Sequence, residues 1–240
     1  MQNSGVNWLD FGTRRRASLV SQDAVVDIMK QYKNFRGTSN VHLAHKHGVK
    51  AQGTISHQTY MAMQARYGVR MANRMALDHW AKEYGGDLGV MLPDTLTTKI
   101  FMDDLSRRDA KLYDGSRLDS GNLADAANLY IDKLIKFDID PMSKILVPSD
   151  NLTDDSAIDF HRKFEGKVKG NTAGIGTFIS NDVLTPLQKQ QGIKPPSIVI
   201  KMIDADFGYG KIPVVKLSDV KGKYTGEPEQ IEHVKKELGL

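Results

Sequence analysis

Apolar positions along the chain fall into two alternating patterns, one of helical period and one of strand length. Over residues 21–32, Val25, Ile28 and Met29 recur at helical spacing. Over 59–84, Met61, Met63, Met71, Met75, Leu77 and Trp80 mark a longer helical stretch that Gly68 should break or kink. Residues 98–105 predict a short helix, and 123–137 an amphipathic helix stopped by Pro141. A helix over 154–164 has Asp154 or Asp155 as candidate cap, and one over 227–238 is stopped by Gly239. Between them lie short apolar runs that predict strands at 87–91, 110–117, 144–148 (KILVP), 168–173, 197–202 (SIVIKM) and 212–217 (IPVVKL). The polar, proline-containing stretch 183–196 reads as a surface excursion.

Strands separated by single helices favour parallel pairing through βαβ units. The polar motifs sit just past the predicted strands: Asp94-Thr95, the run from Arg117 to Gly121, Ser149-Asp150, and Gly174-Ile175-Gly176-Thr177. Ligand sites of β/α barrels lie where strands hand over to loops. The expected fold class is therefore α/β with a (β/α) barrel-like architecture; a doubly wound open sheet obeys the same rule. The 240 residues suit one barrel domain over 1–220 with a C-terminal helix at 221–240.

Composition narrows the function classes. There is no cysteine, which excludes disulfides, thiolate metal sites and a cysteine nucleophile. The first ten residues, MQNSGVNWLD, lack the basic and apolar regions of a signal peptide, and no apolar run approaches membrane-span length. The cytoplasm is the default location, with no membrane partner. The net charge of +4 and pI of about 9.0 raise nucleic acid as a partner. The basic clusters, Arg14-Arg15-Arg16 and the lysines between Lys216 and Lys236, are not interleaved with aromatics, which argues against it. Phosphorylated small molecules need the same Arg and Lys donors.

Four motifs carry candidate chemistry, each beside a plainer structural reading. Asp119-Ser120-Gly121 follows a strand and precedes a helix. An acid, a hydroxyl and a glycine turn suit a sugar diphosphate, with Arg117 on the same strand face. The plainer reading is a helix cap beside an ion pair. Gly174, Gly176 and Thr177 form a second glycine loop, either a phosphate cradle or a tight turn. His57, just before the long helix, is an acid, base or phosphoryl acceptor, or else a capping or core histidine. Phe11 lies three residues before Arg14, so a flat ring stacked on Phe11 could offer a carboxylate or phosphate to Arg14. The alternative is a solvated basic turn. His42, His45 and His47 lack zincin spacing and read as surface residues.

Taken together and in order, DFGTRRR, GTSN, GTISHQ, GSRLDSG, SDNL, GIGT, Asn181-Asp182, IVIK, KLSD and the final HVKKELGL run across the chain from Asp10 to Leu240. In this the sequence resembles the nicotinate phosphoribosyltransferases, of the type II phosphoribosyltransferase fold. The resemblance implies transfer of phosphoribosyl from phosphoribosyl pyrophosphate to nicotinate, with ATP hydrolysis through a transient phosphohistidine at His57. It implies Phe11 stacked on the pyridine, Arg14 on nicotinate or phosphate, and Thr38 and Ser39 near the pyridine substituent. Nicotinamide-using relatives resemble the pattern with an aspartate at the position of Ser39. A hydroxyl there avoids repelling an anionic acid. Arg117, Asp119, Ser120 and Gly121 would bind ribosyl and pyrophosphate groups, Asp150 the ribose hydroxyls, and Gly174, Gly176 and Thr177 the 5′-phosphate. ATP and Mg²⁺ are the implied cofactors, the metal bridging the pyrophosphate with no tightly bound prosthetic group.

The chain departs from the family pattern at Gln58, where a glutamate is usual, at Asn122, where an acid is usual, and at Pro93 and Asn151. The resemblance also implies a further N-terminal domain that packs across a dimer and adds a second aromatic to the ring site. The chain begins just before DFGTRRR, so that domain is expected to be missing. The expected partners are small molecules and either a second copy or the missing segment. A non-catalytic subunit that retains the phosphate pocket, or a nicotinamide-using enzyme, are the competing expectations.

Overall fold

The structure is a computed structural model that describes residues 4–181 and 184–240. Asp182 of the Asn181-Asp182 motif and Val183, at the start of the expected surface excursion, lie outside the described residues. In chain order the elements begin β1 (Asn7–Asp10), α1 (Leu19–Met29), β2 (Phe35–Thr38), α2 (Val41–His47), α3 (His57–Tyr67) and α4 (Ala72–Tyr84). They continue β3 (Val90–Met91), α5 (Thr98–Asp104), α6 (Arg107–Leu112), β4 (Gly115–Leu118), α7 (Leu123–Lys136), β5 (Ile145–Pro148) and α8 (Asp154–Phe164). The last are β6 (Gly170–Ile175), α9 (Thr177–Ser180), α10 (Pro186–Gln190), β7 (Asp204–Asp206), β8 (Lys211–Pro213) and α11 (Pro228–Leu238). The chain divides into two compact units, one of Met1–Gly53 with Ile145–Val199, the other of Thr54–Lys144 with Ile200–Leu240.

In the first unit β1 pairs in parallel with β2 and with β6, and β6 pairs in parallel with β5. Trp8 lies beside Ala173 and Asp10 beside Ile175, so the carboxyl ends of β1 and β6 are level. Helices α1 and α8 make the crossovers that parallel strands require. Trp8, Leu9 and Asp10 are all buried, as are Leu146, Val147 and Pro148, the unbroken burial of a strand covered on both faces. Helix α8 runs over the expected 154–164, but its cap is Thr153. The Thr153 hydroxyl accepts from Ser156 N–H in a capping box, which leaves Asp154 and Asp155 in the first turn, where negative charge favours the helix dipole.

In the second unit β3 and β4 pair in parallel, Val90 beside Gly115 and Met91 beside Ser116. The α/β class and parallel strands thus match expectation. The long helical stretch is α3 and α4, parted at Gly68, whose φ of 81° only glycine adopts freely. On α3 the buried residues are His57, Tyr60, Met61, Gln64 and Ala65, one face of a 3.6-residue period. Met61 and Ala65 pack with Val214; Val69, Ala72, Leu96, Val215, Leu217 and Val234 form a neighbouring core cluster.

Three strand expectations are corrected. Residues 110–117 open within helix α6, and the strand is only Gly115–Leu118. Ser106 caps α6 by accepting from Asp109 N–H, a local signal that outweighs the apolar run. Residues 197–202 form no strand, and Ile198, Val199 and Ile200 are exposed. The run 212–217 is strand only at its start, in the two-stranded β7–β8 pair. Its remainder is an extended segment with all of Val214 to Ser218 buried. Among the described residues no helix is long and apolar enough to cross a membrane.

Candidate active site

The second unit builds a centre around His57. The histidine is the first residue of α3 and the first of its buried stripe, which turns its ring inward; it is 5% exposed. Its Nδ1 lies 3.0 Å from the Thr95 hydroxyl, and its Nε2 lies 3.4 Å from Asp119 Oδ2 and 3.6 Å from Asp94 Oδ1. Two carboxylates facing Nε2 favour a proton there, so Nδ1 accepts from Thr95. Burial holds the His57 pKa below its ordinary value; the Asp119 hydrogen bond and the Asp94 charge oppose this, and Lys216 and Lys201 reinforce it. Burial thus favours the neutral ring.

Each partner has a structural reason for its place. Asp94 and Thr95 follow β3, and Asp119 follows β4, so both loops leave the same edge of a parallel pair. Arg117 Nη2 donates to Asp119 Oδ1 at 2.6 Å and Nη1 donates to Thr54 Oγ1 at 3.4 Å. Lys216 Nζ meets Asp94 Oδ2 at 3.0 Å, with both side chains buried. Asp94 Oδ1 is buried with no hydrogen-bond donor. The ligand atoms of His57, Asp94 and Asp119 lie within 4.8 Å of one another, close enough to hold a cation. The Gln58 amide donates to the Ile200 carbonyl at 2.9 Å. A cavity of about 480 Å³ in this unit, lined by Tyr113, Asp114, Asp140 and Lys144 among others, opens before the amino end of β4 and holds none of these groups.

The DSG turn resolves into separate parts. Asn122, not Asp119 or Ser120, caps α7, accepting from Ala124 and Asp125 N–H. Asp119 and Ser120 therefore have no capping duty. Gly121 has φ +67°, and a Cβ there would lie 3.3 Å from Asp219 Cβ.

The first unit gathers Phe11, Arg14, Thr38, Ser39, Gly174, Gly176 and Thr177 around the carboxyl ends of β1, β2 and β6. Phe11 N–H donates to the Ile175 carbonyl, which fixes the residue beside β6. Its ring lies over Gly174, where an added Cβ would come within 2.5 Å of Phe11 Cδ2. Gly174 thus seats the aromatic ring. A Cβ on Gly176 would meet the Phe11 carbonyl oxygen at 3.2 Å. Thr177 opens the short α9. The basic turn is not merely solvated. Arg14 and Arg15 donate to the Ile198 carbonyl, Arg15 to Ser197 Oγ, and Arg16 to Gln22 Oε1.

Asp10, which sequence reasoning passed over, organises these loops. It is fully buried; Oδ1 accepts from Gly12 N–H, and Oδ2 from the Gln22 amide and the Thr38 hydroxyl. The buried Thr38 hydroxyl donates to Asp10 and accepts from Asn40 N–H, which holds the loop. Ser39 is exposed, its hydroxyl donating to the Asp10 carbonyl at 3.2 Å. Asp150, past β5, has φ 69° and its Oδ1 accepts from the Asn151 amide. His47 is corrected: its side chain is 8% exposed, set between Asp23 and Asp27 at 2.7 and 3.3 Å.

Asp94, Thr95, Lys216 and Asp219 were missed as site residues. Asp94-Thr95 carried a signal as a polar pair past a strand. Lys216 and Asp219 are the ends of the KLSD motif, but nothing in the sequence assigned them a role; they reach His57 and the DSG turn only through the fold.

The chain is similar in sequence and fold to known proteins. The nicotinate phosphoribosyltransferase of Chromohalobacter salexigens is 41% identical over 239 residues, 98% of this chain and 59% of that protein. The enzyme of that name from Methanosarcina mazei is 38% identical over 231 residues, 96% of this chain and 55% of its own length. The chain thus spans little more than half the length of these relatives. A crystal structure of nicotinate phosphoribosyltransferase from Porphyromonas gingivalis matches all of this chain and 61% of its own, with TM-score 0.93 and 39% identity. One from Vibrio cholerae matches 98% of this chain and 55% of its own, with TM-score 0.88 and 33% identity. The sequence profile described as the nicotinate phosphoribosyltransferase (NAPRTase) family covers residues 6–240. With the profile matched over nearly the whole chain, the protein belongs to the nicotinate phosphoribosyltransferase family.

Proposed function

We propose that this chain carries the phosphoribosyl-transfer chemistry of NAD salvage, joining nicotinate to phosphoribosyl pyrophosphate. The nicotinate ring nitrogen attacks C1 of the ribose, and the bond from C1 to pyrophosphate breaks. The electron pair leaves with pyrophosphate, and nicotinate mononucleotide is formed. Positive charge grows on the ribose during transfer, so nucleophile and C1 must be held in line and the departing charge stabilised. Arg117, Asp119, Ser120 and Gly121 take the ribosyl and pyrophosphate groups. Asp150 takes the ribose hydroxyls, and Gly176 and Thr177, next to Gly174, the 5′-phosphate. Phe11 takes the pyridine face and Arg14 the carboxylate.

His57 is the phosphoryl acceptor in this reading. A ring nitrogen bonds to the terminal phosphorus of ATP as the bond to the ADP oxygen breaks; water later cleaves the N–P bond and releases phosphate. The observation that carries the reading is the buried imidazole set between a hydroxyl and two carboxylates. Gln58 is not needed to orient it, because Thr95 and Asp119 flank the ring. A magnesium ion arriving with pyrophosphate fits Asp94 and Asp119, since hard cations take oxygen ligands and Asp94 Oδ1 is an unused buried acceptor. Bound there, it would neutralise phosphate charge.

The test is nicotinate-dependent pyrophosphate release, followed with and without ATP. No turnover at saturating substrates refutes the reading for this chain by itself. His57→Ala should abolish ATP hydrolysis; retained hydrolysis rejects His57 as acceptor. Ser39→Asp should shift preference from nicotinate towards nicotinamide, because a second carboxylate repels the acid. A second reading is a phosphoribosyl-pyrophosphate-binding subunit without turnover. It predicts thermal stabilisation by phosphoribosyl pyrophosphate with no product. Partnership with a second copy, or with the remaining length of the family chain, belongs to the same proposal.

A further inference from the structure

The segment Lys216–Asp219, buried through Ser218 with Asp219 exposed, touches the His57 centre at three stations. Lys216 Nζ pairs with Asp94, and Leu217 N–H donates to the Thr95 carbonyl at 2.8 Å. Asp219 Oδ1 accepts from Thr98 N–H at 2.7 Å, and Oδ2 accepts from the Thr98 hydroxyl at 2.6 Å and the Ser120 hydroxyl at 3.1 Å. Asp219 N–H completes the link by donating to Ser120 Oγ at 3.4 Å.

Two non-glycine residues beside this clasp hold left-handed backbone, Thr97 at φ 81° and Ser218 at φ 70°. Such conformations persist only where the surroundings over-determine them. Thr97 is the residue before Thr98, and Ser218 the residue before Asp219, so the strain sits on both sides of one carboxylate. A Cβ at Gly121 would press on Asp219 Cβ, so that turn is fitted to the clasp from its other end as well.

We propose that Asp219 is a positioning residue that ties the 94–98 turn to the Asp119–Gly121 turn. The carboxylate's hydrogen bonds go to Thr98 and Ser120. Its effect passes through Ser120, which is 3% exposed and adjoins Asp119. Holding Ser120 holds Asp119 between His57 and Arg117, so one surface acid sets the geometry of the diphosphate-binding turn. The functional half of this inference rests on the phosphoribosyl-transfer reading; the structural half does not.

Asp219→Ala and Asp219→Asn in the 240-residue chain test both halves. In the active enzyme, KM for phosphoribosyl pyrophosphate should rise about tenfold, the ratio that 1.4 kcal/mol represents. KM for nicotinate and kcat should stay within about twofold, and Asn, which keeps one acceptor, should be the milder change. Amide hydrogen exchange should quicken at residues 95–99 and 117–122 and not over α7. Unchanged exchange at 117–122 overturns the proposal, as does unchanged KM for phosphoribosyl pyrophosphate in an active enzyme. A wild-type chain without turnover would sink the transfer reading alone, and exchange would still decide for or against the clasp. Should Asp219→Ala fail to fold, Thr98→Val removes one hydroxyl donor and should show the same exchange pattern at smaller amplitude.

Discussion

Gln64→Leu should destabilise the second unit far more than its size suggests. The Gln64 side chain lies on the buried face of α3 and is 4% exposed. Its amide Nε2 donates to the Val215 carbonyl at 2.8 Å, and its Oε1 accepts from Val215 N–H at 3.0 Å. One side chain thus completes both backbone bonds of a residue that is fully buried. Leucine fills similar volume but leaves a donor and an acceptor stranded, at about 1–3 kcal/mol each. The sum is roughly 2–6 kcal/mol, a large part of a domain's usual 5–15 kcal/mol. A loss near 3 kcal/mol should lower the melting temperature by about 6–12 °C in a chain of this size. Urea titration followed by far-UV circular dichroism reads the change directly. A loss below about 0.5 kcal/mol would refute the argument, since Val215 would then be finding other partners. On the proposed phosphohistidine reading the variant should also slow ATP hydrolysis, because Val215 precedes Lys216, the cation on Asp94.

Two further outcomes follow from the same coordinates. Gly174→Ala puts a methyl within 2.5 Å of the Phe11 ring, so the ring must move, and on the proposed reading KM for nicotinate should rise more than KM for phosphoribosyl pyrophosphate; equal fold-changes in the two KM values would refute the placing of Phe11 on the pyridine. His57 has a folded pKa depressed below its unfolded 6.5, so between those values the unfolded chain binds the extra proton and stability rises with pH. The contribution is complete above pH 6.5 and is lost as pH falls through the folded value; His57→Gln should flatten this acid limb in pH-dependent urea titrations, and an unchanged slope would mean that the ring protonates equally in both states.

Much of the fold was legible because local physics is strong where helices are long. Helix α8 occupies the expected span, α7 and α11 lie within a residue of theirs, and Gly68 parts α3 from α4 as its position predicts. Strands were read less well. Residues 197–202 have the composition of a strand, but pairing depends on what lies alongside, and they have no ladder. Residues 110–112 look apolar enough for a strand, yet Ser106 and Asp109 start a helix before them. Strands β1 and β2 escaped notice because four residues are too few to show a period.

The sequence by itself determined the family, because residue types in fixed order survive without coordinates, and it singled out His57 and the loops past β4 and β6 as candidates. It placed His57 just before the long helix, which the structure starts at His57 itself, and the stripe shared with Tyr60, Met61, Gln64 and Ala65 could have placed it indoors. Tertiary structure alone decided which groups surround that ring. Lys216 is 159 residues from His57 by number, and Asp219 is 99 from Ser120; only the packing of Val214–Ser218 into the core brings them to the turns they hold. Structure likewise decided that Thr38 and Asp10 face inward, since a hydroxyl and a carboxylate read the same in a sequence whether they meet a ligand or each other. Helical period, capping and glycine breaks act over a few residues and can be read in order. Charge pairing and burial act through space, and sequence separation carries no information about them.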